Sequence, residues 1–291
     1  MDLVTIVDEQ NNTYTFKRYQ GYAFNKEAIG NVRDQLEKIA HREIRKDDVL
    51  VCVFPKAGTH WLYNTVRMLK SGSLKYHGTP TWMEFEDFNA IENMPSPRVF
   101  GSHMRFRFLP EQMKLGQGKV VTITRNPKDL VVSMYHMMSA MGDLGYKGTF
   151  EGFLRIFLSE ECFMGNGTWF SWMKDLQEWK SPNCLVLSYQ DFKQNTFENV
   201  KKLATFLEVD HEESFLRSVS ENIQFNKIKE SHNLSTPPND RWKHITEDGR
   251  LPIYRKGQDG EWKTMFTVAQ SEQFDKIYNE KVKELGLKIN L

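Results

Sequence analysis

Residues 49–54, VLVCVF, constrain the fold of this chain more than any other segment. The run is apolar at every position, too short for an ordinary helix, and ended by Pro55. Such a run suits a strand buried on both faces, and strands of that kind belong to parallel sheets covered by helices. Immediately afterwards Gly58 and Thr59 turn the chain into a segment, 60–70, with the pattern of a helix. The same alternation recurs. RVFGSH (98–103), KVVTIT (119–124) and CLVLSY (184–189) read as further strands. Asn126-Pro127 opens a helix whose apolar positions are Leu130, Val131, Met134, Tyr135 and Met138. Residues 168–180 and 267–285 read as helices, and Asp191 as the cap of a helix running to about Leu207. The expected architecture is α/β, a single three-layer domain over residues 1–291 with a central parallel sheet flanked by helices. Ligands of such sheets bind beyond the carboxyl ends of the strands, so the chemistry is sought there.

Composition removes several function classes. The 291 residues carry 39 Lys+Arg against 38 Asp+Glu, a net charge of +1, which disfavours a nucleic-acid polymer as partner. Cys52, Cys162 and Cys184 are odd in number, far apart and free of any CxxC, which excludes a disulfide framework. The N-terminus MDLVTIVDEQNN carries acids where a signal peptide carries bases, and no apolar run approaches the length of a membrane span. A cytoplasmic protein without a membrane partner is expected, in which the sequons at Asn11, Asn166 and Asn233 are chance matches. No HExxH or EF-hand pattern occurs, so no metal is expected.

Two strand ends and a C-terminal basic loop carry candidate chemistry. FPKAGTHW (54–61) leaves a strand and enters a helix, where unpaired N–H groups and the helix dipole favour an anion. Lys56 adds a cation, Gly58 permits close approach and Thr59 offers a hydroxyl. The cradle is P-loop-like, but it is not a Walker motif because no Gly-Lys-Ser/Thr is present. A tight turn with a surface lysine is the plain alternative. In TRNPKDLVVS (124–133), Arg125 ends a strand and Ser133 lies inside the next helix, able to face the same crevice. Taken singly, a solvated arginine and an incidental serine explain these two residues as well. RKGQDGEWK (255–263) supplies Arg255, Lys256 and the unhindered amide of Gly257, either as a solvated loop or as a lid over a ligand.

In that order, from about Asp48 to Gly286, the three motifs resemble the cytosolic sulfotransferase family. The resemblance implies transfer of the sulfonate of 3'-phosphoadenosine 5'-phosphosulfate (PAPS) to a hydroxyl or amine of a small acceptor, leaving adenosine 3',5'-bisphosphate (PAP). It implies that Lys56 and the amides of Ala57, Gly58, Thr59, His60 and Trp61 cradle the phosphosulfate. Arg125, Ser133, Arg255, Lys256 and Gly257 would hold the 3'-phosphate, and Trp61, Tyr189 and Phe225 would line the adenine. His103 matches the family's general base, with Lys56 and Ser133 as the other catalytic positions. Residues 263–272 fit the family's KxxxTVxxxE dimerisation motif, which implies a homodimer through Lys263 to Glu272.

Three positions depart from the family pattern. Gly101 replaces a common lysine, Ile223 a common threonine, and His60 a threonine or serine. Arg105, Arg107 and His60 are the candidates to supply the missing cation. Segments 81–88, 137–146 and 162–172 are rich in Met and aromatics, a composition that serves core and an apolar acceptor pocket alike. Glu84, Glu86 and Asp87 within the first are read as solvated surface. The departures at Gly101 and Ile223 keep open a rival reading, a PAPS-binding protein with weak or no transferase activity. A P-loop phosphotransferase is opposed by the missing Walker pair, and a Golgi carbohydrate sulfotransferase by the missing anchor.

Overall fold

The computed structural model describes residues 2–7, 11, 13–20, 22–25, 31–85, 88–141, 145–159, 167–235 and 253–288. The chain begins with an antiparallel sheet of β1 (Asp2–Val7), β2 (Thr13–Tyr19) and β3 (Tyr22–Asn25). This sheet was not expected, although the alternation of polar and apolar residues over TYTFK (13–17) is the period of a strand. There follow α1 (Val32–Ala40), β4 (Val49–Cys52), α2 (Thr59–Ser71), α3 (Phe88–Glu92) and β5 (Val99–Ser102). Next come α4 (Glu111–Lys114), β6 (Lys119–Thr124), α5 (Pro127–Ser139), α6 (Phe150–Leu158), α7 (Trp169–Glu178) and β7 (Cys184–Ser188). The remaining helices are α8 (Tyr189–Gln194), α9 (Thr196–Phe206), α10 (Glu213–Asn222), α11 (Phe225–Ser235) and α12 (Val268–Leu285).

The four strands expected from sequence form one parallel sheet in the order β5-β4-β6-β7. The chain is therefore α/β, with a parallel sheet flanked by helices. Register matters more than order here. Cys52 lies opposite Ser102, and Thr124 opposite Ser188, with β6 and β7 running two residues further than β4 and β5. Phe54, buried just past β4, packs edge-on against Phe157 and Trp172 at 6.4 and 6.1 Å, closing one face of the sheet.

Local chemistry explains the helix starts. The Asn126 side chain accepts from the Lys128 amide and Pro127 opens α5, as the sequence predicts. Thr267 caps α12 in a reciprocal capping box with Gln270. One expectation is corrected. Ser188, not Asp191, caps the helix after β7, and the Asp191 carboxylate instead accepts from Asn195 and Asn199 at 2.8 and 2.9 Å. The chain bends between α8 and α9 at Asn195, so the single helix expected there is two.

Beneath the sheet, a buried ion pair fixes its amino ends. Asp48 directly precedes β4 and Arg98 directly precedes β5. Arg98 Nε and Nη2 donate to the two Asp48 oxygens at 2.8 and 2.5 Å, and the two side chains are 1% and 0% exposed. Glu92 accepts from both Arg98 and Arg42, and the Asp48 carboxylate also accepts the Arg45 amide. Removing one partner of such a pair strands the other charge without water. Asp48→Asn is expected to destabilise the fold by about 3–5 kcal/mol, read as a lowered urea midpoint. The double variant Asp48→Asn/Arg98→Met should lose less than the sum of the two single changes.

Candidate anion-binding and transfer site

All four parallel strands release their chains on the same side of the sheet, and the sequence-predicted site residues gather there. Past β4, Lys56 adopts φ 68° and Gly58 φ 119°, values at which L side chains are strained or excluded. A side chain at Gly58 would also press on Tyr189, whose Cδ2 would lie 3.2 Å from its Cβ. The Ala57 amide closes the turn onto the Phe54 carbonyl at 3.1 Å. The open cradle therefore starts at Gly58 rather than Ala57. The amides of Thr59, His60 and Trp61 precede the first helical bond of α2, from Leu62 N–H to the Gly58 carbonyl at 2.9 Å.

Cations surround this turn without an anion to match. Lys56 has no carboxylate partner among the described residues, and burial, Arg125 and Arg255 together lower its pKa to about 8. Arg125, past β6, donates to the Lys56 and Gln258 carbonyls at 3.2 and 2.9 Å and lies 4.3 Å over the Tyr189 ring. Its Nε is buried with no acceptor, and the buried Thr59 hydroxyl likewise lacks a partner. Orphaned donors and uncompensated charge are what a bound oxyanion satisfies.

The two cations expected of the basic loop share one carboxylate. Arg255 is paired through both terminal nitrogens with the Glu261 carboxylate, and Lys256 Nζ lies 3.0 Å from the same group. Burial opposes the Glu261 charge, but Arg255 and Lys256 outweigh it and hold the carboxyl at about 2. Asp129 of α5 accepts the Gly260 and Trp262 amides at 2.9 and 3.1 Å, which ties the loop to that helix. His136 lies on the same helix face, its pKa lowered by burial and by Arg255. Ser133 lies between them at helical spacing, so it too faces the loop. Sequence reasoning overlooked His136, although its offset from Ser133 was a usable signal.

Aromatic groups line the other side. Trp61 meets Tyr189 and Phe192 edge-on at 5.4 and 4.6 Å and donates its indole N–H to the Ile223 carbonyl at 2.8 Å. The Ile223 side chain is fully buried, so this position contributes its main chain to the site. Gly257, at φ 63°, sits so close to Phe225 that a Cβ there would fall 2.1 Å from the ring. Lys193 secures the same turn by donating to the Gly257 carbonyl at 2.7 Å.

His103 directly follows β5. Its Nδ1 lies 2.7 Å from the Val53 carbonyl, which only accepts, so Nδ1 carries the proton and Nε2 is the basic nitrogen of the ring. Burial lowers its pKa to about 4, with Lys56 adding to the effect against the Val53 bond. The His103 amide donates to Glu84 at 2.6 Å. Glu84 is 3% exposed, against the expectation of a solvated acid, and burial raises its pKa to about 7. Glu86 and Asp87 lie outside the described residues.

Two candidate replacement cations are held by a buried carboxylate of α7. Arg105 and Arg107 both engage Asp175, at 2.9 and 2.8 Å, and so brace α7 instead of the transfer site. His60 remains at the site. It meets Trp82 edge-on at 5.7 Å, and its pKa is lowered by burial, Lys56 and His103. Of the Met- and aromatic-rich segments, Met83, Met138, Trp169 and Trp172 are buried core, whereas Trp82, Phe85, Met137 and Met141 are half-buried. Residues 142–144 and 162–166, including Cys162, lie outside the described residues.

Comparison with known proteins places this geometry. The sulfotransferase domain matches residues 46–286. The chain is 32% identical over 269 residues to the rabbit (Oryctolagus cuniculus) amine sulfotransferase, covering 87% of this chain and 86% of that one. It is 31% identical over 276 residues to human (Homo sapiens) sulfotransferase 2A1, covering 90% and 91%. Among solved structures, mouse sulfotransferase SULT7A1 complexed with PAP superposes with a TM-score of 0.76 at 27% identity, over 92% of this chain and 95% of that one. Retinol dehydratase, at 18% identity and a TM-score of 0.74 over 96% and 92%, shares the fold. With most of its length matched and its motifs converging on one strand-end site, the chain belongs to the sulfotransferase family.

Proposed function

We propose that this enzyme transfers the sulfonate of PAPS to a hydroxyl or amine of a small, apolar or aromatic acceptor, with His103 as general base. The observation that carries the reading is Lys56 at a helix N-terminus, close enough to feel both Arg125 and the His103 ring, with the Thr59 hydroxyl unpartnered among the described residues. The PAP held by a structural relative of the same family supports the nucleotide assignment.

When bound, PAPS presents a sulfonate on an anhydride oxygen that leaves with the phosphate. Lys56 and the amides of Gly58 to Trp61 hold the phosphosulfate end and offset charge on the leaving oxygen. Arg125 and Ser133 meet the 3'-phosphate. Arg255 and Lys256 join them by exchanging part of their contact with Glu261, an exchange that keeps them charged and oriented beforehand. Trp61, Tyr189 and Phe225 pack the adenine. His103 Nε2 takes the proton of the acceptor O–H or N–H as the new bond to sulfur forms and the old S–O bond breaks. Its Nδ1–H stays on the Val53 carbonyl, which steadies the resulting imidazolium. This scheme draws on no metal.

Supporting a homodimer, Lys263, Thr264, Thr267, Val268 and Glu272 are all exposed, Val268 at 76%. A lone exposed valine is ordinary on a protein surface, so the dimer rests on the motif at 263–272, whose fixed positions are open to a second copy. The wild type should run at twice 34.2 kDa in solution, and Val268→Lys at the monomer mass. A monomeric wild type at micromolar concentration removes the dimer. We propose a single domain over residues 1–291 and a cytoplasmic location. Among the described residues, no helix is long and apolar enough to cross a membrane.

Isotope transfer from labelled PAPS to a panel of phenols, steroids, alcohols and amines tests the activity. His103→Ala should lower kcat by roughly 10²–10⁴ and Lys56→Met by roughly 10²–10³. PAP binding without transfer to any acceptor would instead support the binding-protein reading. The pH profile supplies a second check. With a non-titrating alcohol acceptor, kcat/KM should rise through about 4 as His103 loses its proton and fall above about 8 as Lys56 loses its own. In kcat the alkaline limb should move upward, because a bound anion holds the Lys56 charge. A flat profile from pH 4 to 9 in both parameters contradicts the assignment.

A further inference from the structure

Segment 80–83 crosses the carboxyl end of β5 and pairs with it. Trp82 forms a parallel bridge with Gly101, Gly101 N–H donates to the Thr81 carbonyl, and Met83 N–H donates to the Gly101 carbonyl, both at 2.9 Å. This approach leaves Gly101 no space for a side chain. A Cβ there would fall 2.6 Å from Pro80 Cβ and 3.3 Å from Trp82 Cε3. The seated Trp82 ring lies 4.4 Å from the His103 ring at an interplanar angle of 32°, and meets His60 edge-on at 5.7 Å. Two imidazoles of the transfer site thus share one indole as their support, and the indole is registered by main-chain bonds to a glycine.

We propose that Trp82 is a positioning residue for sulfonate transfer, fixing His103 and His60, and that Gly101 serves to seat it. The inference rests on the reading of His103 as general base. On this account Gly101 is a requirement of the site and not a defect left by a lost cation. Burial is the main cause of the lowered His103 pKa, and the indole 4.4 Å from the ring is part of what buries it. The charged and titratable groups around that ring are Lys56 from the loop after β4, His60 from α2, and Glu84 from the segment that carries Trp82.

The test compares Trp82→Ala, Trp82→Phe, Gly101→Ala and Gly101→Lys with the wild type. Trp82→Ala should lower kcat by about 10–100-fold and leave the Kd for PAP within about threefold. The His103 titration, followed by nitrogen–proton NMR of the imidazole, should move up by a unit or more, together with the acid limb of kcat/KM. Trp82→Phe should recover part of both effects. Gly101→Ala should lose activity, and Gly101→Lys more of it, because each displaces Trp82. Increased turnover in Gly101→Lys would overturn the proposal. An unshifted titration with unchanged kcat in Trp82→Ala would do the same. Should Trp82→Ala fail to bind PAP or to fold, Trp82→Phe and Gly101→Ala carry the same readouts, and unshifted values there are equally decisive against it. The titration is read without an acceptor, so an enzyme that turns over no acceptor defeats the proposed function while the support of His103 by Trp82 is still measured.

Discussion

Parallel register is the constraint from which the rest of the site follows. A parallel sheet sends every chain out on the same side, and paired register brings those exits to two adjacent levels, β4 with β5 and β6 with β7. Cys52 opposite Ser102 and Thr124 opposite Ser188 are the residues at which this happens. Lys56, His103, Arg125 and Tyr189 each lie within a few residues of a strand end. Four positions separated by up to 133 residues of sequence are thereby placed around one crevice, each held by a buried strand. The Asp48–Arg98 pair, at the opposite ends of β4 and β5, fixes that register from below.

What the sheet assembles is an electrostatic imbalance. Lys56 and Arg125 stand close to a helix N-terminus; Arg125 donates to main-chain carbonyls, and the Lys56 pKa is lowered by burial and by its cationic neighbours. Opposite them the chain supplies Glu261, which holds Arg255 and Lys256 in place. The site is therefore half compensated. The inner cations await an anion, and the outer cations are kept by a carboxylate that a phosphate group can partly displace. A net charge of +1 over the whole chain gives no sign of this arrangement.

The sequence made the framework legible because each parallel strand is apolar throughout and short. KVVTIT was read to the residue, and Asn126-Pro127 announced α5 correctly. The antiparallel sheet at residues 2–25 went unread although TYTFK alternates polar and apolar residues at the period of a strand, with Phe16 buried. In the site, residues at strand ends were legible for the same topological reason. Their partners were not. The capture of Arg105 and Arg107 by Asp175 spans about 70 residues, and no local pattern announces it. Glu84 looked like a surface acid because its neighbours Glu86 and Asp87 are acidic, yet a strand end with one free amide drew it inward. Gly101 looked like a loss because the crossing of segment 80–83 is invisible in sequence.

Helix α5 holds two distant segments by adjacent side chains. Asp129 accepts the amides of Gly260 and Trp262, while Lys128 reaches Ser271 and Asp275 of α12 and lies 4.3 Å over the Trp262 ring. These pieces form a single module although some 130 residues separate them along the chain. A chimera that transplants residues 255–275 from a relative without its own α5 brings in a loop whose amides have lost their acceptor. The unit of exchange between such enzymes is thus set by hydrogen bonds, and its boundaries do not coincide with any continuous stretch of sequence.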